Sequence, residues 1–307
     1  MKNPESVDPA DRTVNIAVEL FHETCGNEGV CGLKVARSGC PPEVARLRVS
    51  LEAYTQRVMY HLFAERGQLY EYETSMLAIG ALRPGDIAID VGAHIGYFSL
   101  LFRLLVGETG SVYAFEPMPE TYTRLLRNVM RNHFTNVVPL PMALATWTGS
   151  TELHFNSRNE GECTLVSDVG DGSCQVQVTR LDDIFEGVLP TRPRLLKIDA
   201  EGAEMHVLQG GLRCFDEQAP DLVICEINHP ALQAAGTSEK EIREFFQARD
   251  YRCAVINIAG ADIGVSDCGG RFYRYLALEE PAAPKSKYVF NLMFVRNGSG
   301  LYPDEYL

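Results

Sequence analysis

The stretch that most constrains this chain is Asp90-Val91-Gly92-Ala93-His94-Ile95-Gly96. It closes the apolar β-type run Ile87–Val91 and opens a second apolar run, Tyr97–Val106. A strand must turn into a helix within a few residues here. Glycines supply the backbone freedom for that turn and let a ligand approach the main chain. The next β-type run, 112–115, ends in Glu116-Pro117. An acid at that tip is placed to accept both hydroxyls of a ribose. Strand, glycine turn, helix, strand and acid together predict a nucleoside-binding half-fold. The glycines alone would also fit a tight turn with no ligand.

The alternation continues. Runs at Val137–Leu140, Leu195–Ile198 and 222–227 read as strands, and 120–133, 203–215 and 238–249 as helices. This pattern predicts a mainly parallel sheet covered on both faces. Between the third and fourth strands the rhythm breaks. Residues 151–155 and 175–179 alternate polar and apolar, predicting antiparallel strands around a polar, glycine-rich loop. That loop is either a lid on the substrate side or a plain connection. Residues 289–295 form a last strand. Upstream, 41–66 predicts one helix, from Val44, Leu47, Leu51, Tyr54, Val58 and Leu62 at gaps of three and four. A second helix is predicted over 71–82, stopped by Arg83-Pro84-Gly85. Tyr70 to Glu73 could lie over the ligand or simply pack on the sheet. Residues 1–69 thus read as an N-terminal helical cap and 70–307 as the main domain. The cap is too short for a core of its own and suits a packed lid or a homodimer contact.

Charge removes several functions. The chain has 28 Lys+Arg against 41 Asp+Glu, a net −13, with no basic cluster. Nucleic acid and anionic membrane surfaces are therefore disfavoured as partners. No apolar run approaches the roughly 20 residues that span a bilayer. The N-terminus lacks the basic-then-apolar start of a secretory signal. The nine cysteines include no CxxC pair. Cys25, Cys31 and Cys40 are spaced unlike a zinc knuckle, so free thiols in a reducing cytoplasm are expected.

The glycine spacing discriminates between ligands. A dinucleotide site expects G-x-G-x-x-G. Here His94 stands where the second glycine belongs and would crowd a pyrophosphate. S-adenosylmethionine has no phosphate, and its ammonium and sulfonium suit an acid-lined pocket. An NAD-dependent oxidoreductase and a catalytically inactive nucleoside-binding scaffold remain as alternatives.

Chemistry is expected at the carboxyl ends of the strands. Asp199, Glu201 and Glu204 follow one strand; Glu226, Asn228 and His229 follow the next. Asp199, Glu226 and Asn228 form an oxygen-rich set able to hold Mg²⁺ or Ca²⁺. Asp199 and Glu226 are candidate catalytic groups, and His229 is a candidate base with a pKa near neutrality. Glu204 reads as a helix-opening acid rather than a functional one.

Four stretches carry a family resemblance: Asp90-Val-Gly-Ala-His-Ile-Gly-Tyr97, Phe115-Glu-Pro117, Leu196-Lys-Ile-Asp-Ala-Glu-Gly-Ala-Glu204 and Asn291-Leu-Met-Phe-Val295. On these the chain resembles the class I S-adenosylmethionine-dependent methyltransferases, and among them the FkbM family, over roughly residues 70–295. The resemblance implies a Rossmann-like α/β sandwich of three layers. Its sheet would have seven mostly parallel strands, the last antiparallel. It also implies O-methylation of a hydroxyl on a natural product, sugar or glycan-like acceptor. By the same resemblance, Asp90, Gly92, Ala93, His94 and Gly96 would form the loop at the methionine moiety. Glu116 would hold the ribose, Met118 would flank the adenine, and Ala143 would lie near the ring. His94 replaces the commoner Asn of that loop.

Overall fold

The computed structural model describes residues 16–37, 39–157, 159–165, 170–188, 192–256, 273–282 and 288–301. The chain opens with β1 (Ile16–Cys25), β2 (Glu28–Arg37) and β3 (Glu43–Ser50), then α1 (Tyr54–Arg66) and α2 (Tyr72–Ala81). The three strands form one antiparallel sheet. The expected helical cap is therefore corrected to a sheet followed by helices. The expected helix over 41–66 divides into β3 and α1. The reason lies in β3 itself. Ala45, Leu47 and Val49 are each 1% exposed, while Arg46 and Arg48 point out. That is a period of two, the signature of a strand with one buried face.

Next come β4 (Ile87–Val91), α3 (Tyr97–Val106), β5 (Ser111–Phe115), α4 (Pro119–Arg131) and β6 (Val137–Leu140). The strands β7 (Met142–Leu144), β8 (Gly149–Asn156), β9 (Asn159–Thr164) and β10 (Gly172–Thr179) make a four-stranded sheet in the order β7-β10-β8-β9. The expected antiparallel pair is β8 and β10. The chain continues through α5 (Leu181–Val188), β11 (Leu195–Ile198), α6 (Glu204–Gln209), α7 (Leu212–Glu217) and β12 (Leu222–Asn228). It ends with α8 (His229–Ala234), α9 (Glu239–Gln247), β13 (Tyr251–Ile256), β14 (Tyr273–Leu276) and β15 (Val289–Arg296).

The main sheet has eight strands, in the order β14-β13-β15-β12-β11-β4-β5-β6. The strands from β6 to β12 are parallel to one another, and β15 runs antiparallel to both β12 and β13. The expected count of seven is exceeded by β14, an antiparallel edge strand. One face of the sheet packs on residues of α1 to α4, the other on α5 to α9.

The N-terminal sheet lies outside α3 and explains that helix. All ten residues of α3 are buried, because the main sheet covers one side and β2 and β3 the other. A helix apolar all round belongs in such a place. Its one charge, Arg103, meets Glu43 of β3 at 2.6 Å, and Arg37 of β2 meets the same carboxylate at 3.0 Å. Arg37 also donates to the carbonyls of Leu104 and Leu105 at the end of α3. Leu33, Leu47 and Val49 share one apolar cluster with Leu100, Leu104 and Ala88, so packing is continuous across residues 69 and 70. The free edge of β3 is closed by Asn128 of α4 and Asn132 at the C-cap of that helix. Asn128 and Asn132 exchange backbone-like hydrogen bonds with Arg48 and Arg46. Cys31 belongs to this core, while Cys25 and Cys40 are exposed. Among the described residues no helix is long and apolar enough to cross a membrane.

Candidate functional site

The carboxyl ends of β4, β5, β11 and β12 border a cavity of about 350 Å³. Its floor is the glycine loop. Gly92, at φ 75°, lies against the end of β11, where a Cβ would stand 1.9 Å from the carbonyl oxygen of Asp199. Gly92 and Ala93 both donate their N–H to the carbonyl of Phe115, which ties the loop to β5. Gly96, at φ 96°, caps α3 and would meet Leu125 with any side chain. Asp90 is fully buried behind the loop, accepting a hydrogen bond from Ser99 at 2.6 Å. Burial pushes its carboxyl up. It ties the end of β4 to α3, and the cavity is lined by Gly92, Ala93 and His94.

Glu116 lies on the wall at 6% exposure. One of its oxygens accepts from the His94 N–H at 2.8 Å and the other from the Met118 N–H at 2.9 Å. Burial outweighs these two donors and pushes its carboxyl up to about 7. Met118 takes part through that N–H, and its sulfur lies 3.8 Å from the Cys174 thiol. The neighbouring wall is formed by Pro117, Met142, Ala143 and Leu144. Ala143, expected near the adenine, and Pro117 both line the cavity. Leu153 and Cys163, from the small sheet, add a further side.

Across the cavity stands an acidic group that is incomplete in the sequence reading. Carboxylate oxygens of Glu71, Asp199 and Glu226 all lie within 4.8 Å of one another. Asn228 also lines the cavity, but its side-chain oxygen accepts from the Ala231 N–H as the cap of α8. Its amide donates to Glu201 at 3.0 Å. Glu71 therefore stands in the place expected for Asn228. Burial pushes the Glu71 and Glu226 carboxyls up, and neighbouring acids push Glu226 further. Asn291 of β15, level with Glu226 in register, donates to Glu71 at 3.4 Å. Lys197 of β11 is buried beside them, its ammonium 2.8 Å from Asp199.

His229 opens α8, outside the cavity wall. Its N–H donates to the Tyr288 carbonyl and its ring packs 5.4 Å from Phe290. Its ring is not brought together with Asp199 and Glu226 as the sequence suggested. Glu204 folds back to accept from the Ala200 and Gly202 N–H groups, both at 3.1 Å, and so holds the turn after β11.

Backbone strain gathers here. Five described non-glycine residues have positive φ, and three of them, Glu71, His94 and Glu201, line the cavity. Such conformations cost about 1–3 kcal/mol each and persist where surroundings over-determine them. The roof is completed by Thr55 and Met59 of α1, and by Tyr70. Tyr70 belongs to the stretch expected as a possible cover, whereas nothing in the sequence marks Thr55 and Met59 as cavity-forming, since their neighbours arrive from distant strands.

The family model for the methyltransferase FkbM domain matches residues 90–253, just over half of the chain. A hexuronic acid methyltransferase, AglP of Haloferax volcanii, is 26% identical over 201 residues, covering 66% of this chain and 78% of that protein. The 31-O-demethyl-FK506 methyltransferase FkbM of Streptomyces tacrolimicus is 30% identical over 160 residues, and 60% of its length is covered. Among solved structures, an O-methyltransferase dependent on S-adenosylmethionine from Thermotoga maritima aligns over 86% of this chain and 77% of its own. The identity is 13% and the TM-score 0.41.

Proposed function

The chain belongs to the FkbM family of S-adenosylmethionine-dependent methyltransferases, and from that premise we propose that it methylates a hydroxyl oxygen of a neutral, sugar-like or natural-product acceptor. The observation that carries this reading is the acidic trio of Glu71, Asp199 and Glu226, which opens on the same cavity as the glycine loop and Glu116.

The donor fits the residues present. Gly92 and Ala93 present bare or nearly bare backbone on the cavity wall, and Glu116 is a buried acid on the same wall, held by two backbone N–H groups. Glu116 would hold the ribose hydroxyls, and Pro117, Met142 and Ala143 the adenine side. The bound donor supplies an electrophilic methyl group on a sulfonium. The protein orients the acceptor oxygen toward that carbon and takes away its proton. Orientation alone can supply much of the acceleration. A hydroxyl also needs a base within hydrogen-bond reach. Asp199, held by Lys197, or Glu226 takes that proton as the new C–O bond forms. This assigns the base to the carboxylates and leaves His229 structural.

Three acids crowd around a single ammonium that is already paired with Asp199, so among the described residues the site leaves no cation for an anionic acceptor and favours an uncharged one. The expected product is therefore a methyl ether rather than a methyl ester of a sugar acid. The test is transfer of labelled methyl from S-adenosylmethionine to neutral sugars and to uronic acids. Label that survives mild alkali on a neutral acceptor supports the reading. Label found only on uronic acids, and released by alkali, overturns it.

A further inference from the structure

We propose that Lys197 is a built-in cation that takes the place a divalent metal would occupy in the acidic trio, so that the site works without metal. The inference rests on the reading above that the trio faces the acceptor. It departs from the expectation that Asp199, Glu226 and Asn228 hold Mg²⁺ or Ca²⁺.

The argument starts from where Lys197 sits. Strand β11 is central in the main sheet and fully buried, and Lys197 is 3% exposed. A lone ammonium there is strongly disfavoured unless charges and hydrogen bonds compensate it. Several neighbours do. Asp199 lies 2.8 Å away, two residues along the same chain. Asp90 is its register partner on β4. Glu71 approaches from the start of α2 and Glu226 from β12, both close enough to interact electrostatically with the ammonium. The Phe98 ring covers the remaining side, with the ammonium 4.8 Å from its centroid. An aromatic face stabilises a cation at this range.

The ammonium therefore binds the carboxylate a metal would need. An ion here would have to share Asp199 with Lys197 and stand close to a buried ammonium that already draws on Glu71 and Glu226. Asn228, the third expected ligand, has committed its oxygen to α8. Lys197 also lines the cavity, so its charge acts on the acceptor side, where a metal would have polarised a hydroxyl.

The test is a Mn²⁺ titration of the full chain followed by electron paramagnetic resonance, with the wild type, Lys197→Gln and Asp199→Asn. The expected result is no saturable Mn²⁺ binding by the wild type. Lys197→Gln, which leaves the trio without its cation, is expected to bind one equivalent. Wild-type protein that binds one equivalent, lost in Asp199→Asn, overturns the proposal. So does a folded Lys197→Gln variant that binds none. If Lys197→Gln does not fold, the wild-type titration alone decides. Titration with S-adenosylhomocysteine in the same preparation separates the two readings, because failure of the donor site removes that binding and leaves the Mn²⁺ result standing.

Discussion

Gly92 and the carbonyl oxygen of Asp199 are packed so closely that a methyl group on the Gly92 Cα would stand 1.9 Å from that oxygen. The contact joins the glycine loop after β4 to the acid after β11, the two sides that the proposed function assigns to donor and acceptor. Gly92 also holds φ 75°, a region side chains rarely adopt. Gly92→Ala is therefore expected to cost about 1–3 kcal/mol from the backbone conformation alone. Asp199 is displaced as well, so methyl transfer should fall further than stability. Thermal denaturation and single-turnover transfer would measure both. Wild-type activity in the variant would contradict the role given to this contact.

Glu116 offers a sharper comparison. Both of its oxygens accept backbone N–H groups, from His94 and Met118. Glu116→Ala removes the acid and leaves those donors buried. Affinity for S-adenosylhomocysteine should drop by about 10- to 100-fold, as for loss of a charged hydrogen-bonding group worth roughly 1.5–3 kcal/mol. Glu116→Gln keeps one acceptor and should fall between. Calorimetric titration checks the order, and equal affinities across the three proteins would remove Glu116 from the donor site.

Acidity should stabilise the donor-free protein. Burial pushes the Glu116 and Glu204 carboxyls up from 4.5 to about 7. Between those values the folded state holds protons that the unfolded state has released. Stability therefore falls as pH rises through this window, and the contribution is gone above it. Glu71, Asp90 and Glu226 shift in the same direction. The Tm is expected to be higher at a pH near 5.5 than near 8, and Glu204→Gln should flatten that slope. A Tm that rises with pH across this range would count against it.

Much of the fold was legible. The runs around β4, α3, β5, β11 and β12 are short, strongly apolar and punctuated by glycine and proline, so their period is plain. The glycine loop and Glu116 were legible for the same reason. Residues 41–50 were not. Val44, Leu47 and Leu51 fall at helical gaps by chance, and they mask the two-residue period of Ala45, Leu47 and Val49. Glu71 was seen only as part of a possible cover, because its partners Asp199 and Glu226 are far along the chain. Lys197 read as an ordinary strand residue, since only folding puts Phe98 and Glu71 around it. His229 misled through proximity to Glu226 in sequence, while the start of α8 turns its ring toward Phe290.

The docking of the N-terminal sheet can be tested through Glu43, which bridges Arg37 and Arg103. Removing a buried partner typically costs 3–5 kcal/mol. The Glu43 side chain is 28% exposed, so Glu43→Ala is expected to cost less, about 1–3 kcal/mol, because water screens the pair. Urea denaturation would measure it. Cleavage by protease should appear first near β1 to β3, and an unchanged urea midpoint would show that the bridge contributes nothing.

The roof has a consequence of its own. Thr55 and Met59 come from α1, outside the stretch that the family model matches, while the donor floor lies within it. The cavity is thus closed by segments far apart in the chain, α1 and Tyr70 on one side and the matched stretch with Gly92, Asp199 and Glu226 on the other, which meet only in three dimensions. A relative could change its acceptor by altering the helix before residue 67 and keep its glycine loop untouched, which makes that helix the natural place to begin re-targeting the enzyme.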